Sequence, residues 1–499
     1  MDAERVIHPD SSSRSWLVWS SLLVALYLII CLLSWQRTLI GTEVWALYYA
    51  GQSFHEQLQA IRTDLVHPPL MYLVERFWLG TFGQTDRAAK TLALIINLPT
   101  FFLFTWLTQR ITPHWRLASF LFLAIYLCVG SVPNLVRMYG LGLLLTVAVM
   151  VLWEKWCGAP RNSTLIAWSF VALLLIYTHL FGALLVLAFW AANWLCGPRR
   201  WAFTVAAAIP ALAFLPWFLY VLPVYEVRGL APNVAWVPKR FPVGVGYLQY
   251  GLLGVFPDGS LPVLAVFVLL AGLVHLLLFY SALKMVRRCW PPRSGLHTAV
   301  RWFWVGVLLA GLPLAMIILF SLIVIPSLAS RFVLGVLPAY WLVVVLVWQE
   351  SGRLGKIMLY GVALVWVVSV AVAALVRMDT HLPPREAALV LASEQRPSDL
   401  ILCSTSCNEF YWELTHHFGR NGRIEVLGPG PLYWLTVPPQ LFDLATLDPK
   451  TAARVWLFAD SKTEADTLVD AFAQHGFVLQ RKSSFKKYVL LLLVSPSAR

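Results

Sequence analysis

The sequence predicts an α-helical polytopic membrane protein of about eleven transmembrane helices, with amphipathic helices in its first outer loop and a small C-terminal α/β soluble domain. Three observations predict it. Of 499 residues, 59% are hydrophobic and 13% charged, against roughly 45–50% and about 25% in soluble domains, so such a chain could not build a water-facing surface. Apolar runs long enough to cross a bilayer recur as far as residue 376. Beyond that point the pattern changes to short apolar runs alternating with polar helical ones.

The runs fall near 16–35, 89–109, 117–133, 138–153, 164–178, 179–195, 201–221, 261–283, 302–325, 331–349 and 357–376. A crossing helix needs about 20 mostly apolar residues. Several runs are shorter, and Thr164 to Leu195 also reads as one long helix plus a re-entrant piece. Residues 1–15 are polar and the first run ends without a small-residue cleavage signal, which marks a retained helix.

Orientation follows from Lys and Arg, which short cytoplasmic loops retain. With the N-terminus in the cytoplasm, the inner connectors hold Arg110 and Arg116, Lys155 and Arg161, Arg199 and Arg200, Lys284 to Arg301, and Arg353 and Lys356. The alternate connectors are nearly free of them. The expected layout is a multi-pass protein of the cytoplasmic (inner) membrane. Residues 1–376 form its transmembrane domain, with 36–88 as the first outer loop, and 377–499 an extracytoplasmic domain.

A net charge of +13 would suggest nucleic acid in a soluble protein. Here Lys284, Arg287 and Arg288 sit in a connector, where they meet anionic headgroups, so membrane lipid is the expected partner and nucleic acid is not. The cysteines Cys31, Cys128, Cys157, Cys196 and Cys289 lie in or beside apolar stretches without metal-ligand spacing. Cys403 and Cys407 fall in the polar tail, where a disulfide and two separate thiols are both open readings.

In the first outer loop, the stretch from Glu43 to Leu58 repeats apolar residues at helical spacing and reads as an amphipathic helix at the interface. After His67-Pro68-Pro69, a second run from Leu70 to Phe82 places Leu70, Leu73, Val74, Phe77 and Trp78 on one face, opposed by Glu75 and Arg76. The prolines separate the two helices. The outer loop near 222–260, with several prolines and glycines, reads as a mobile lid. In the tail, Arg385 to Glu394 and Glu464 to Gln474 read as helices, and Asp399 to Leu402, Val455 to Phe458 and Tyr488 to Val494 as strands.

Ionisable groups at the outer membrane surface are the functional candidates, because holding them near hydrocarbon is costly. Glu43, Asp64 with His67, Arg137 and Arg331 occupy such positions. Glu43 could take a proton from an acceptor hydroxyl, or simply favour a helix start. Arg137 and Arg331 could hold a phosphate through paired charge-assisted hydrogen bonds, or anchor headgroups by snorkelling. No metal cluster appears in the sequence, so no cofactor is expected, with a divalent ion left open.

A set of motifs in order adds to this. Gly41-Thr42-Glu43, His67-Pro68-Pro69-Leu70-Met71-Tyr72-Leu73, Phe82-Gly83, Val136-Arg137-Met138-Tyr139-Gly140, and Ser330-Arg331-Phe332-Val333-Leu334 followed by Leu337-Pro338 together resemble the GT-C superfamily of integral membrane glycosyltransferases. The similarity is to its bacterial protein O-mannosyltransferases and lipid A aminoarabinose transferases, over roughly residues 16–350.

The resemblance implies an inverting transferase that moves a sugar from a polyprenyl-phosphate donor to an envelope acceptor, be it lipid, glycan or protein. It implies Glu43 as base; for the carboxylate the family has beside it, either Asp64 supplies it or the acceptor differs. Arg137, Arg331, Lys239 and Arg240 would surround the donor phosphate, and His67 and Tyr139 would contact substrate. Two positions depart from the family pattern. Thr42 stands where an acid commonly precedes the base, and Leu135 where a glutamate commonly lies two residues before the arginine. A lipid-linked sugar transporter and an O-antigen ligase or polymerase are the alternatives. The first would show internal repeats and paired broken helices, which the sequence lacks.

Overall fold

The computed structural model describes residues 15–33, 35, 39, 41–65, 67–128, 136–228, 279–280, 282–284, 286–287, 298–324, 328, 334–349, 353, 357, 360–361, 383–404, 424–427, 441–447, 452–459, 461–485 and 488–496. The chain folds as two compact units. The first comprises Met1–Trp35, Leu65–Val74 and Ala89–Leu375, the second Gln36–Asp64, Glu75–Ala88 and Val376–Arg499.

The regular elements among unit 1's described residues are all helices. Its elements are α1 (Ser15–Leu33), most of α5 (Asp86–Ile111), α6 (Trp115–Cys128), α7 (Met138–Gly158), α8 (Asn162–Thr178), α9 (Phe181–Cys196), α10 (Arg200–Arg228), α11 (Thr298–Ile323) and α12 (Leu337–Gln349). Five of these helices, α1, α5, α7, α10 and α11, are long and apolar enough to cross a membrane, and α6, α8, α9 and α12 are shorter apolar helices. The spans expected at 261–283 and 357–376 lie almost wholly outside the described residues, as does most of the loop near 222–260.

The packing runs α7 on α8, α8 on α10, α9 on α11, α11 on α12 and α12 on α6. Its interior is filled by tryptophans, including Trp153, Trp168, Trp302 and Trp341, all fully buried. Leu22, Ile166, Phe170, Val205, Leu212, Leu319 and Leu322 point outward and are exposed. A belt of that kind suits hydrocarbon rather than water, and the chain is a multi-pass membrane protein. Pro99, Pro210, Pro216, Pro223 and Pro313 lie inside helices, as membrane helices allow when neighbours re-satisfy the freed carbonyls.

Glu154, near the end of α7, accepts hydrogen bonds at Oε2 from Arg301 Nη2 at 2.9 Å and Trp302 Nε1 at 2.7 Å. This joins α7 to α11. The carboxylate is largely buried, and its desolvation is offset by two donors, one of them charged.

Unit 2 contains the first-loop helices and the tail. The stretch expected to form one helix from Glu43 is two, α2 (Gly41–Ala50) and α3 (Phe54–Asp64). Gly51 ends the first. Ser53 starts the second as a capping box, its Oγ accepting from the Glu56 N–H at 3.2 Å while Glu56 Oε2 accepts from the Ser53 N–H at 2.9 Å.

The next helix, α4 (Leu70–Phe82), begins in unit 1 and ends in unit 2. It turns a different face inward from the one its apolar residues suggest. Met71, Tyr72, Glu75 and Leu79 are buried, with Glu75 at 0%, while Phe77 is 76% exposed. Hydrogen bonds orient it. Arg76 Nη1 donates to the Gln52 carbonyl at 2.8 Å and to Gln57 Oε1 at 3.4 Å, which ties it to the α2–α3 turn.

The tail forms a six-stranded sheet of order β3-β2-β1-β4-β6-β5. Its strands are β1 (Leu400–Cys403), β2 (Ile424–Leu427), β3 (Leu441–Phe442), β4 (Arg454–Ala459), β5 (Val478–Phe485) and β6 (Tyr488–Val494). The first four are parallel, and β6 and β5 run antiparallel. Strand alternation sorts the core into two layers. Ile401, Trp456, Phe458 and Leu490 pack with Ala387 and Leu391 of α13 (Pro383–Glu394). Leu402, Val455, Leu457 and Leu491 pack with Ala465 and Phe472 of α14 (Lys462–Gln474). The small α/β domain expected from the sequence is present, with helices on both faces. Cys403, buried at the end of β1, is disulfide-bonded, whereas Cys31, Cys157 and Cys196 remain thiols.

Candidate functional site

In unit 1, the residues before α4 and around the start of α7 converge. Leu65 opens the segment with φ at +54°, a left-handed conformation rare for a branched side chain and a local strain the surrounding structure must hold. His67 follows, then Pro68 and Pro69, which are buried. The Pro69 carbonyl accepts the Leu73 N–H at 3.0 Å, so the second proline sits where a helix start tolerates it. Tyr72, buried on the first turn of α4, lies beneath the Arg137 guanidinium, 5.6 Å from its ring centroid.

Arg137 is 7% exposed and occupies the N-cap of α7 in extended conformation. The helix macrodipole places partial positive charge at the same end. A buried guanidinium and a helix N-terminus therefore add their fields, and the place favours an anion. Gly140 lets α7 come this close to α5. An added Cβ would lie 3.0 Å from Asn97 Oδ1, an atom held by the Tyr126 hydroxyl at 2.7 Å.

Tyr139, 6% exposed, and His67 meet edge to face at 6.4 Å between ring centroids. His179 completes the group, 5.1 Å from His67 and 6.0 Å from Tyr139. Sequence reading did not single out His179. Its signal was there, since it is an ionisable side chain between two apolar runs, and such a residue inside a membrane domain is a functional candidate by default. The Tyr139 hydroxyl is buried and has no hydrogen-bond partner among the described residues. Tyr139 and His179 both line an apolar crevice formed with Leu143, Leu185, Pro313 and Leu334.

The expected carboxylates belong to unit 2. Glu43 stands in the first turn of α2 and is fully buried. Asp64 is the last residue of α3 and is partly exposed. Glu75, which the sequence pattern puts on the polar face of α4, is buried as well. Arg331, Lys239 and Arg240 lie outside the described residues. Among the described residues, no three His, Cys, Asp or Glu side chains are grouped to hold a metal ion.

The fold has counterparts among solved membrane proteins. It superposes on the crystal structure of ArnT from Cupriavidus metallidurans bound to undecaprenyl phosphate with a TM-score of 0.56, at 15% identity, covering 96% of this chain and 98% of that one. The apo structure of the same ArnT aligns with a TM-score of 0.47 at 13% identity, covering 95% of this chain and 98% of that one. The Archaeoglobus fulgidus oligosaccharyltransferase tethered to an acceptor peptide aligns at 0.47 and 12%, covering 81% of this chain and 63% of that one. No family model matches the sequence, and no curated relative does either.

Proposed function

We propose that the protein is a glycosyltransferase that takes a sugar from a polyprenyl-phosphate donor and passes it to an envelope acceptor on the extracytoplasmic face of the inner membrane. The observation that carries this is the buried Arg137 over Tyr72 at the N-terminus of α7, two residues before the Tyr139 that meets His67. It stands in a fold shared with an ArnT bound to undecaprenyl phosphate. Cys403 supports an extracytoplasmic tail, because a disulfide persists in an oxidising compartment outside the cytoplasm.

In this reading Glu43 accepts the proton of the acceptor hydroxyl, whose oxygen attacks the anomeric carbon of the sugar. As that bond forms, the bond from the anomeric carbon to the phosphate oxygen breaks on the opposite side, which inverts the configuration. The electron pair stays on the polyprenyl phosphate. Arg137 meets the charge that grows there, joined by Arg331, Lys239 and Arg240, so the guanidinium favours the transition state over the bound donor. Asp64 serves as the second carboxylate, in place of the acid that Thr42 lacks. His67 and Tyr139 hold the donor against the apolar wall.

The deciding experiment is mass spectrometry of envelope glycans and lipid-linked sugars. It compares a deletion strain, the strain complemented with wild type, and the strain complemented with Glu43→Gln. The expected result is loss of one sugar from an acceptor, with its polyprenyl-phosphate donor accumulating and only the wild type restoring it. Unchanged glycans in the deletion strain would sink the transferase reading, and full rescue by the variant would remove Glu43 as the base.

A further inference from the structure

The chain breaks between α8 and α9 at His179 and Leu180, inside what the sequence presents as nearly continuous apolar residues. The break is built. His179 is extended, with φ −157° and ψ 136°, and Gly182 returns the chain so tightly that an added Cβ would stand 2.6 Å from the Leu175 carbonyl oxygen. The His179 ring stacks on Phe181 at 5.1 Å with an interplanar angle of 18°. At 8% exposure it is a polar side chain kept inside a membrane domain, a costly arrangement that marks substrate-handling positions.

His179 Nδ1 lies 3.2 Å from the Phe181 backbone nitrogen and accepts its proton. That contact suits the tautomer with its hydrogen on Nε2. In that tautomer His179 offers its Nε2–H as a donor. It borders the same crevice as Tyr139, whose buried hydroxyl has no partner among the described residues.

We propose that His179 is a further donor-binding residue, its Nε2–H and the Tyr139 hydroxyl hydrogen-bonding the phosphate oxygens of the polyprenyl-phosphate donor. The proposal rests on the glycosyltransferase reading. Neutral donors complement Arg137. They stabilise phosphate charge in a low-dielectric site without adding cations, whose mutual repulsion and desolvation would raise the cost of the empty site. The Phe181 N–H fixes the ring before substrate arrives, so little reorganisation accompanies binding.

Undecaprenyl phosphate binding to the full chain in lipid nanodiscs, followed by native mass spectrometry alongside thermal unfolding, tests this. His179→Phe keeps the ring stack and removes the donor, and should weaken binding by about tenfold or more with only a small fall in Tm from the lost Phe181 N–H bond. His179→Gln places an amide N–H near the Nε2 position and should bind within about threefold of wild type. Asn is shorter and reaches only the Nδ1 position, so His179→Asn should be as weak as Phe; this pair decides the matter should the Phe variant not fold.

Wild-type affinity in both His179→Phe and His179→Asn would overturn the role of His179 and leave the transferase reading intact. Equal loss in Gln and Asn, with a lowered Tm, would assign His179 to packing alone. A wild-type protein that does not bind undecaprenyl phosphate would overturn both.

Discussion

At its C-terminal end α7 carries Glu154, whose Oε2 accepts from Arg301 at 2.9 Å and Trp302 at 2.7 Å across to α11. At its N-terminal end it carries Arg137 over the Tyr72 ring and, two residues on, a Tyr139 hydroxyl with no hydrogen-bond partner among the described residues. Both ends hold polar groups in a hydrophobic bundle. The first is closed, because charge meets charge within the fold. The second gathers donors, with Tyr139 and His179 lining one crevice and Arg137 at the N-cap, at the positive end of the helix. A closed pair stabilises structure, while donors gathered at the positive end of a helix suit an anionic substrate. In the proposed reading, stability belongs to one end of the helix and chemistry to the other.

The comparison breaks first at Glu154. Glu154→Ala leaves Arg301 buried beside Trp153 without its carboxylate, and should cost about 3–5 kcal/mol. Replacing both partners with Leu and Met should restore most of that loss, since two apolar side chains carry no desolvation cost. Thermal unfolding of the single and double variants in detergent measures it. A double variant as unstable as the single one would show that more than the ion pair is at stake.

Arg137→Met should behave in the opposite way. Loss of one preplaced donor to developing charge lowers turnover by about 10²–10³, or roughly 2.7–4 kcal/mol, while Tm falls by less than in Glu154→Ala. Steady-state transfer from the purified donor reads the first and calorimetry the second. Wild-type turnover in a folded Arg137→Met protein would move the phosphate site elsewhere.

Gly182→Ala tests whether the α8–α9 break is needed. Its Cβ would meet backbone, not a flexible side-chain end, so the loop must shift. Overpacking of this kind costs about 1–3 kcal/mol. The expected result is a lower Tm together with weaker donor binding, because the His179 ring moves with the loop. A change in Tm alone would separate the break from the site.

Much of this was legible in the sequence, and the parts that were not share physical causes. β1, β4 and β6 are buried apolar runs and stood out. β5 did not, because Gln480 to Ser484 lie on a largely exposed edge strand, where no apolar pattern is imposed. The capping box at Ser53 and Glu56 was readable, and it divides a stretch whose apolar spacing alone suggests one helix. The inward face of α4 was not readable, since the Arg76 hydrogen bonds and the burial of Glu75 set it against the apolar stripe. At the site, His67, Arg137 and Tyr139 were each named from their own motifs. What brings them together with His179 is a chain break of two residues, which leaves almost no mark on hydropathy.

The smallest effect sharpens the comparison with a third case, a satisfied polar pair in water. The hydrogen bonds from Ser53 hold the exposed Glu56 carboxyl below the ordinary carboxylate range. A depressed folded pKa contributes stability above the unfolded value, and that contribution is lost as pH falls through the folded one. Wild type should therefore exceed Glu56→Ala slightly in Tm at neutral pH, and the gap should narrow as the pH drops below the ordinary carboxylate range. Solvent screens this pair, so its effect should also be far smaller than that of Glu154, which holds an ion pair inside the bundle. A gap that stays constant down to acid pH would mean that Glu56 acts through helix propensity and not through its charge.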